Sequence, residues 1–405
     1  MSNEPEDASP ILTSETVPEY LRSCISKLEG LEKPILEEDE ISAKAILGGN
    51  VNYAFCVTVT SKSDGSQQTV FVKQAPEFVA IFGPDGFPLT SERMQREVDV
   101  YQEWRNILGS TDSQKYLPTI YYFDRTRMTV IMEFLDGYQL LDHVLVQEDG
   151  VHLHEAVSRG LGDFMGKTHA ATHSSKLSSD RIAYLTQHFE NRPMRDIQLE
   201  FVFTKCFKEA TDEQRAGLVV NEEFMAEIEM LKTQYDGKGD PQNLVLSHGD
   251  LHPGSVMIND AGVKVIDPEF TVYGPPGLDV GSLLSGYVLA AIHQAFSNNP
   301  QAVTNICQGA RAVWVAYVDA LKEAGLDNAE LICNIEVEAV GFAVAEVCRT
   351  SLGFAGGRLW LQFEDLHTKA SAKKAALEVV DACMIGRHEH GMDLLLSKMQ
   401  SVTKN

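Results

Sequence analysis

Three carboxylates carry most of the chemistry this sequence offers. Asp250 stands in Ser247-His248-Gly249-Asp250-Leu251-His252-Pro253-Gly254-Ser255, and Asp267 and Glu269 flank Pro268 shortly afterwards. Between them lie two short strand-like runs, Val256-Met257-Ile258 and Val263-Lys264-Val265-Ile266, joined by the turn Asn259-Asp260-Ala261-Gly262. Leu244-Val245-Leu246 leads in as a buried strand. So tight a hairpin fixes Asp250 and the Asp267/Glu269 pair at opposite ends of a small rigid frame. Phosphoryl transfer needs that layout: one carboxylate orients the attacking hydroxyl while others hold Mg²⁺ on the triphosphate of ATP. Either motif alone reads as an ordinary acidic loop; the two in order, at hairpin spacing, point to the chemistry.

Upstream elements must position the phosphates. Strand-like segments are expected at 40–47, 53–61 and 68–74, with a hairpin turn at Ser61-Lys62-Ser63-Asp64-Gly65-Ser66. A helix is expected before them at 17–28, with Tyr20, Leu21 and Cys24 on one face. In Thr69-Val70-Phe71-Val72-Lys73, period-2 alternation puts Phe71 and Lys73 on one face. Kinases use such a strand lysine to hold the α- and β-phosphates, orienting it with a helix glutamate. Glu97 fits, in a helix expected at 91–104 with Ser91 or Thr90 as N-cap and Val98, Tyr101 and Trp104 facing inward. The turn Gly48-Gly49-Asn50-Val51-Asn52-Tyr53 is either a plain hairpin turn or a backbone cradle for phosphates, which places Gly49, Asn50 and Asn52 among the nucleotide-binding candidates. Residues 75–90, rich in Pro and Gly, read as a mobile flap.

The 405 residues suffice for two lobes, and the formal charge of -24 argues against sequence-independent nucleic-acid binding and against anionic membranes. An anionic substrate must then be drawn in by local cations. Seven scattered cysteines without CxxC spacing read as reduced thiols, and no leader or membrane span is visible, so a cytoplasmic protein is expected. The later chain is mostly helical. Its stripe Leu161, Phe164, Met165 and His169 is a core face, and His169 with His173 reads as a satisfied pair rather than a metal site. Asp279 reads as a helix N-cap or a brace for the catalytic loop. Arg387-His388-Glu389-His390 reads as a helix end or a solvated tail.

The stretch 247–269 resembles the catalytic and metal loops of small-molecule kinases related to aminoglycoside and choline kinases. Two details narrow the likeness. Ser255 stands where most of that superfamily has a metal-binding Asn, and the metal motif reads Asp267-Pro268-Glu269-Phe270, followed by Tyr273-Gly274-Pro275-Pro276-Gly277-Leu278-Asp279. The pattern looks like the 5-methylthioribose kinase family. Phe87-Pro88-Leu89-Thr90-Ser91-Glu92-Arg93 resembles another of its segments, near the active site, and Met194-Arg195-Asp196 a third.

The resemblance implies an α/β (α+β) protein-kinase-like fold of two lobes. A tail at 1–15 precedes a small N-lobe (16–135, antiparallel sheet plus helix) and a large, mainly helical C-lobe (136–405). Backbone groups of Glu133, Phe134 and Leu135 at the hinge would pair with adenine, and Ser255 would belong to the nucleotide site. Asp250 would accept the proton of the acceptor hydroxyl, Asp267 and Glu269 would ligate Mg²⁺, and Lys73 would hold the phosphates. The reaction implied is transfer of the γ-phosphate of ATP to the 1-hydroxyl of 5-methylthioribose, by a homodimer. In that family a helix ends in Arg-Arg-(I/V)-(I/V)-Gly, whose arginines reach the sugar and the moving phosphate. Here it reads Arg349-Thr350-Ser351-Leu352-Gly353, so Thr350 replaces the second arginine, and Arg358 is a candidate substitute. Phe71 also departs, where a smaller residue would lie over adenine. The alternatives are a kinase of the same fold acting on another small sugar, amino alcohol or antibiotic, and a silent nucleotide-binding pseudokinase.

Overall fold

The computed structural model describes residues 10–47, 51–147, 155–260, 262–355 and 358–402. The chain divides into two compact units: one runs to Glu103 and includes Leu117–Gly137, the other comprises Trp104–Tyr116 and everything from Tyr138 onward.

The first unit is built on five antiparallel strands, β1 (Glu40–Ala45), β2 (Tyr53–Thr60), β3 (Gln67–Gln74), β4 (Ile120–Asp124) and β5 (Thr129–Glu133), in the order β1-β2-β3-β5-β4. Alternation decides its faces. Phe55, Val57 and Val59 of β2 and Val70 and Val72 of β3 point into one core with Val17, Tyr20, Leu21 and Cys24 of the helix Val17–Cys24. Each such side chain contributes about 1.5–3 kcal/mol on burial. Phe71 is half-buried on the other face, opposite Cys56 and Met132. Leu12 is buried, and its N–H donates to Gln74 Oε1 at 2.8 Å. The expected tail of 1–15 is therefore packed by Leu12; residues 1–9 lie outside the described residues.

The helix carrying Glu97 starts at Arg93 and runs to Tyr116, broken at Gly109. Ser91 does not cap it: its N–H and hydroxyl both donate to the Glu77 carboxylate. The inward positions include Met94, Glu97, Val100, Tyr101 and Trp104, while Val98 is half-buried. Residues 104–116, expected with the first lobe, pack into the second unit. There Tyr116 Oη donates to Asp163 at 2.6 Å and Lys264 Nζ donates to the Gln114 carbonyl at 2.8 Å.

The second unit is mainly helical around small strands: β6 (Gln139–Leu140), β7 (Val245–Ser247), β8 (Val256–Asn259), β9 (Gly262–Val265) and β10 (Val272–Gly274). β7 pairs with β10, and β6, β8 and β9 form a three-stranded sheet. The helix Gly277–Phe296 is buried along almost its whole length, as its mostly apolar sequence requires, and most of its few polar residues, Asp279 among them, are buried with it. Helix Ala329–Ser351 lies against it so closely that a Cβ on Gly281 would come within 2.6 Å of the Ala339 carbonyl oxygen. Among the described residues no helix is long and apolar enough to cross a membrane. All seven cysteines are free and five are buried. Arg387 is fully buried and paired with Glu227 at 2.5 Å, whereas His388, Glu389 and His390 are exposed just before the helix breaks at Gly391, so the segment expected as a helix end or a solvated tail is a helix end whose arginine alone is packed.

Candidate active site

In the first unit Lys73 and Glu97 meet as the alternation requires. Lys73 Nζ lies 2.7 Å from Glu97 Oε2, and both are buried. A buried ion pair at that distance holds the ammonium in one place. Arg93, one turn before Glu97 on the same helix and missed as a site residue, is buried as well. It donates to Asn52 Oδ1 at 3.1 Å and to the carbonyls of Val51, Pro76, Leu89 and Thr90. Pro76, Leu89 and Thr90 of the 75–90 segment, read as a flap, are thus tied to Val51 and Asn52 by one guanidinium. The final arginine of the 87–93 segment was the available signal. Gly49 and Asn50 lie outside the described residues. At the end of β5 the Glu133 carboxylate accepts from Thr119 N at 2.9 Å, the Phe134 carbonyl accepts from Asp136 N at 2.9 Å, and Leu135 is buried.

In the second unit Asp250 sits on the loop leaving β7. Asp279 is the brace. Its Oδ2 accepts from His248 N at 2.7 Å and its Oδ1 from Gly249 N at 3.0 Å. It lies in the first turn of its helix, and Pro276 is the residue at the cap position. His169 donates to Asp279 Oδ2 at 3.2 Å through Nε2, because a carboxylate only accepts, which leaves Nδ1 to accept from Tyr317 Oη. His173 is satisfied by Ser175 through Nδ1 and by Asn243 through Nε2, so both histidines have protein partners. His248 closes the other side: Nε2 donates to the Ile266 carbonyl at 2.9 Å and Nδ1 accepts from Asp250 N. Gly249 has φ +86, and a Cβ there would fall 2.0 Å from the Phe270 carbonyl oxygen, so only glycine fits. Ser255 Oγ donates to the Asp250 carbonyl at 3.1 Å, tying the hairpin back to the loop.

Asp267 and Glu269 follow β9. Asp267 adopts φ 64, a left-handed conformation that an aspartate tolerates better than most residues. Asn191 donates through Nδ2 to the carbonyls of Glu269 and Thr271 at 2.9 and 3.0 Å, and Thr271 Oγ1 donates to the Pro268 carbonyl at 2.7 Å. Arg195, buried, anchors this support by donating to the carbonyls of Glu190 and Tyr235. One carboxylate oxygen from each of Asp267 and Glu269 lies within 4.8 Å of the other. Two hard oxygen donors at that spacing fit a divalent cation of the Mg²⁺ or Ca²⁺ type.

Arg349 comes to the same loop from the helix Ala329–Ser351. Its Nε and Nη2 donate to Glu346 Oε2 at 3.1 and 2.5 Å. Arg358 Nη2 lies 3.8 Å from that same oxygen. Burial alone would raise the Asp250 carboxyl, but His252, Arg358 and Arg349 hold it below its ordinary range. His252 Nε2 is 3.7 Å from Asp250 Oδ2; burial lowers that imidazole against the pull of Asp250. The result is an ionised carboxylate, half-buried, on a loop whose backbone is held at Asp250 N and at the Asp250 carbonyl. It can accept a proton from a hydroxyl placed beside it. Glu346, three residues before Arg349, went unread; helical spacing was its signal.

Residues 60–304 match the family model described as the APH phosphotransferase enzyme family. A methylthioribose kinase of Geobacillus sp. (strain WCH70) is 26% identical over 367 residues, 87% of this chain and 88% of that protein. Methylthioribose kinase 1 of Oryza sativa subsp. japonica is 25% identical over 392 residues, covering 87% of this chain and 86% of its own. Among solved structures, a glucosamine kinase in complex with glucosamine, ADP and inorganic phosphate shares the fold at 14% identity, with a TM-score of 0.51 over 90% of this chain and 85% of that one. The family match spans more than half of the chain and contains Lys73, Glu97, Asp250, Asp267 and Glu269. The chain belongs to the phosphotransferase enzyme family.

Proposed function

We propose that this phosphotransferase transfers the γ-phosphoryl group of ATP to the 1-hydroxyl of 5-methylthioribose. The observation that carries the reading is an Asp250 carboxylate held ionised beside Arg349 on a loop fixed by Asp279. The choice of acceptor rests on the two methylthioribose kinases to which the chain is similar over most of its length.

In this reading Asp250 orients the acceptor hydroxyl and takes its proton. The acceptor oxygen forms a bond to the γ-phosphorus while the bond from that phosphorus to the bridging oxygen breaks, and the electron pair leaves with ADP. Lys73, fixed by Glu97, binds the α- and β-phosphates. Asn52 would contribute to the phosphate site, to which Gly49 and Asn50 are also assigned, and backbone groups of Glu133, Phe134 and Leu135 would take the adenine. Asp267 and Glu269 would hold Mg²⁺, which when bound supplies positive charge to the triphosphate. Ser255 keeps the Asp250 loop in register for these contacts. Arg349 neutralises charge on the moving phosphoryl group. A general base contributes roughly 10²–10⁴-fold, and positioning adds to that. The proposal extends to a cytoplasmic homodimer, checked by light scattering of the purified chain and by fractionation.

Thr350 favours a second reading, a kinase of the same fold with another small alcohol as acceptor. Among the described residues its hydroxyl is buried without a hydrogen-bond partner, and a threonine offers the acceptor no charge. Coupled ADP release with Mg²⁺-ATP and 5-methylthioribose, ribose, choline or an aminoglycoside separates the two. Turnover confined to methylthioribose supports the first reading; turnover of another panel member replaces it with the second.

A further inference from the structure

Arg358 is a mostly buried cation whose donors are not spent. Its side chain is 18% exposed, and its one ion pair among the described residues is the 3.8 Å approach to Glu346 Oε2, too long for a hydrogen bond. That carboxylate is already taken at 2.5 and 3.1 Å by Arg349. Among the described residues the Arg358 guanidinium makes no hydrogen bond, although its own carbonyl accepts from Gln362 Nε2 at 3.1 Å, which fixes the backbone there. Arg349 likewise uses only Nε and Nη2 and leaves Nη1 uncommitted. Buried polar groups are normally satisfied, and a guanidinium offers five donors with no acceptor. Two guanidinia converging on one carboxylate, beside Asp250, therefore present surplus donors whose natural partner is a multiply charged oxyanion.

We propose that Arg358 is a second phosphoryl-contacting residue: with Arg349 it donates to the non-bridging oxygens of the transferring phosphoryl group and then to those of the phosphate-ester product. Glu346 positions both guanidinia, holding Arg349 tightly and Arg358 loosely enough to turn to the ligand. The charge that Thr350 does not supply thus comes from the segment after the helix. Asp250 feels both arginines, as the electrostatics of its carboxyl require. The inference rests on the kinase reading but not on the identity of the acceptor.

The test compares wild type, Arg358→Ala and Arg358→Lys as full-length enzymes. In Arg358→Ala we expect kcat/KM for the acceptor to fall roughly 10- to 100-fold, the loss of one charge-assisted contact. KM for ATP and the melting temperature should stay near wild type. Arg358→Lys should recover part of the loss, and added guanidinium ion should restore part of the Arg358→Ala rate. Activity within about threefold of wild type overturns the proposal, and so does a loss that guanidinium leaves unrescued while the melting temperature falls. If wild type phosphorylates an alcohol other than methylthioribose, the substrate reading fails and the same comparison is made on that alcohol. If it phosphorylates none, binding of Mg²⁺-ADP with aluminium fluoride, a mimic of the moving group, decides. A tenfold or greater weakening in Arg358→Ala supports the contact, and unchanged binding removes it.

Discussion

Replacing Asp279 by Asn tests how the catalytic loop is held. The carboxylate is 2% exposed and accepts three donors: His248 N at 2.7 Å, Gly249 N at 3.0 Å and His169 Nε2 at 3.2 Å. An Asn side chain keeps one acceptor oxygen and turns an NH₂ group toward a donor. Either amide orientation leaves at least one buried N–H facing another donor. Hydrogen bonds to a charged group contribute about 1.5–3 kcal/mol each, and an unsatisfied buried donor costs about 1–3 kcal/mol. We expect Asp279→Asn to lose about 3–5 kcal/mol, a drop in melting temperature of roughly 5–10 °C for a cooperative unit of this size. Gly249 precedes Asp250, so the reacting carboxylate shifts as well, and a misplacement of about 1 Å costs on the order of 10²-fold in kcat. Burial would raise the Asp279 carboxyl, but the His169 N–H and the backbone of His248 hold it below its ordinary value. A depressed carboxylate contributes stability that is present above its unfolded pKa and lost as pH falls through its folded pKa. The gap between wild type and Asp279→Asn should therefore be constant at neutral pH and close only in strong acid. Thermal unfolding across pH and the kcat of both proteins measure it. A variant within about 2 °C and threefold of wild type would refute the bracing role.

Glu97→Gln keeps a hydrogen bond to Lys73 but removes the charge that fixes it. We expect kcat/KM for ATP to fall about tenfold or more, with the acceptor KM little changed, by steady-state kinetics. The acid limb of kcat/KM set by Asp250 should lie below the ordinary carboxylate range, because neighbouring cations outweigh its burial. Arg349→Ala should move that limb upward; an unmoved limb would assign it to another group. Glu338, buried against Gly277 N and Asn243, has its carboxyl pushed up to about 7 by burial. The folded chain then binds a proton that the unfolded chain releases near pH 4.5, so this group costs stability increasingly as pH rises to about 7. Glu338→Gln should raise the melting temperature more at pH 8 than at pH 5.

The parts of the site that were readable are those a short span of chain encodes. The hairpin Val256–Val265 sets the distance between Asp250 and Asp267 by its own length, and alternation alone puts Lys73 opposite the core face of β3. What was hidden depends on contacts between distant segments. No local pattern joins Asn191 to the carbonyl of Glu269, or Arg358 to Glu346, because such pairs are made only when helices pack. Asp279 could be read as cap or brace because its residue type serves both, and only the loop that meets it decides. Helix limits were missed where caps went unused as signals. Asn328 is such a cap: it accepts from Leu331 N at 3.0 Å and starts the helix that carries Arg349. Arg93 was read as part of a motif, and its burial as a tie from Pro76, Leu89 and Thr90 to Val51 and Asn52 follows from six acceptors that converge only in the fold.

The most direct test compares Asp250→Asn with wild type in a single turnover of bound Mg²⁺-ATP with 5-methylthioribose, following the phosphate ester by ³¹P NMR. Asp250 acts as proton acceptor in this account, so the phosphoryl-transfer rate should fall by roughly 10²–10⁴-fold while the affinity for ADP is preserved. A transfer rate within about tenfold of wild type, with ester still formed, would contradict it.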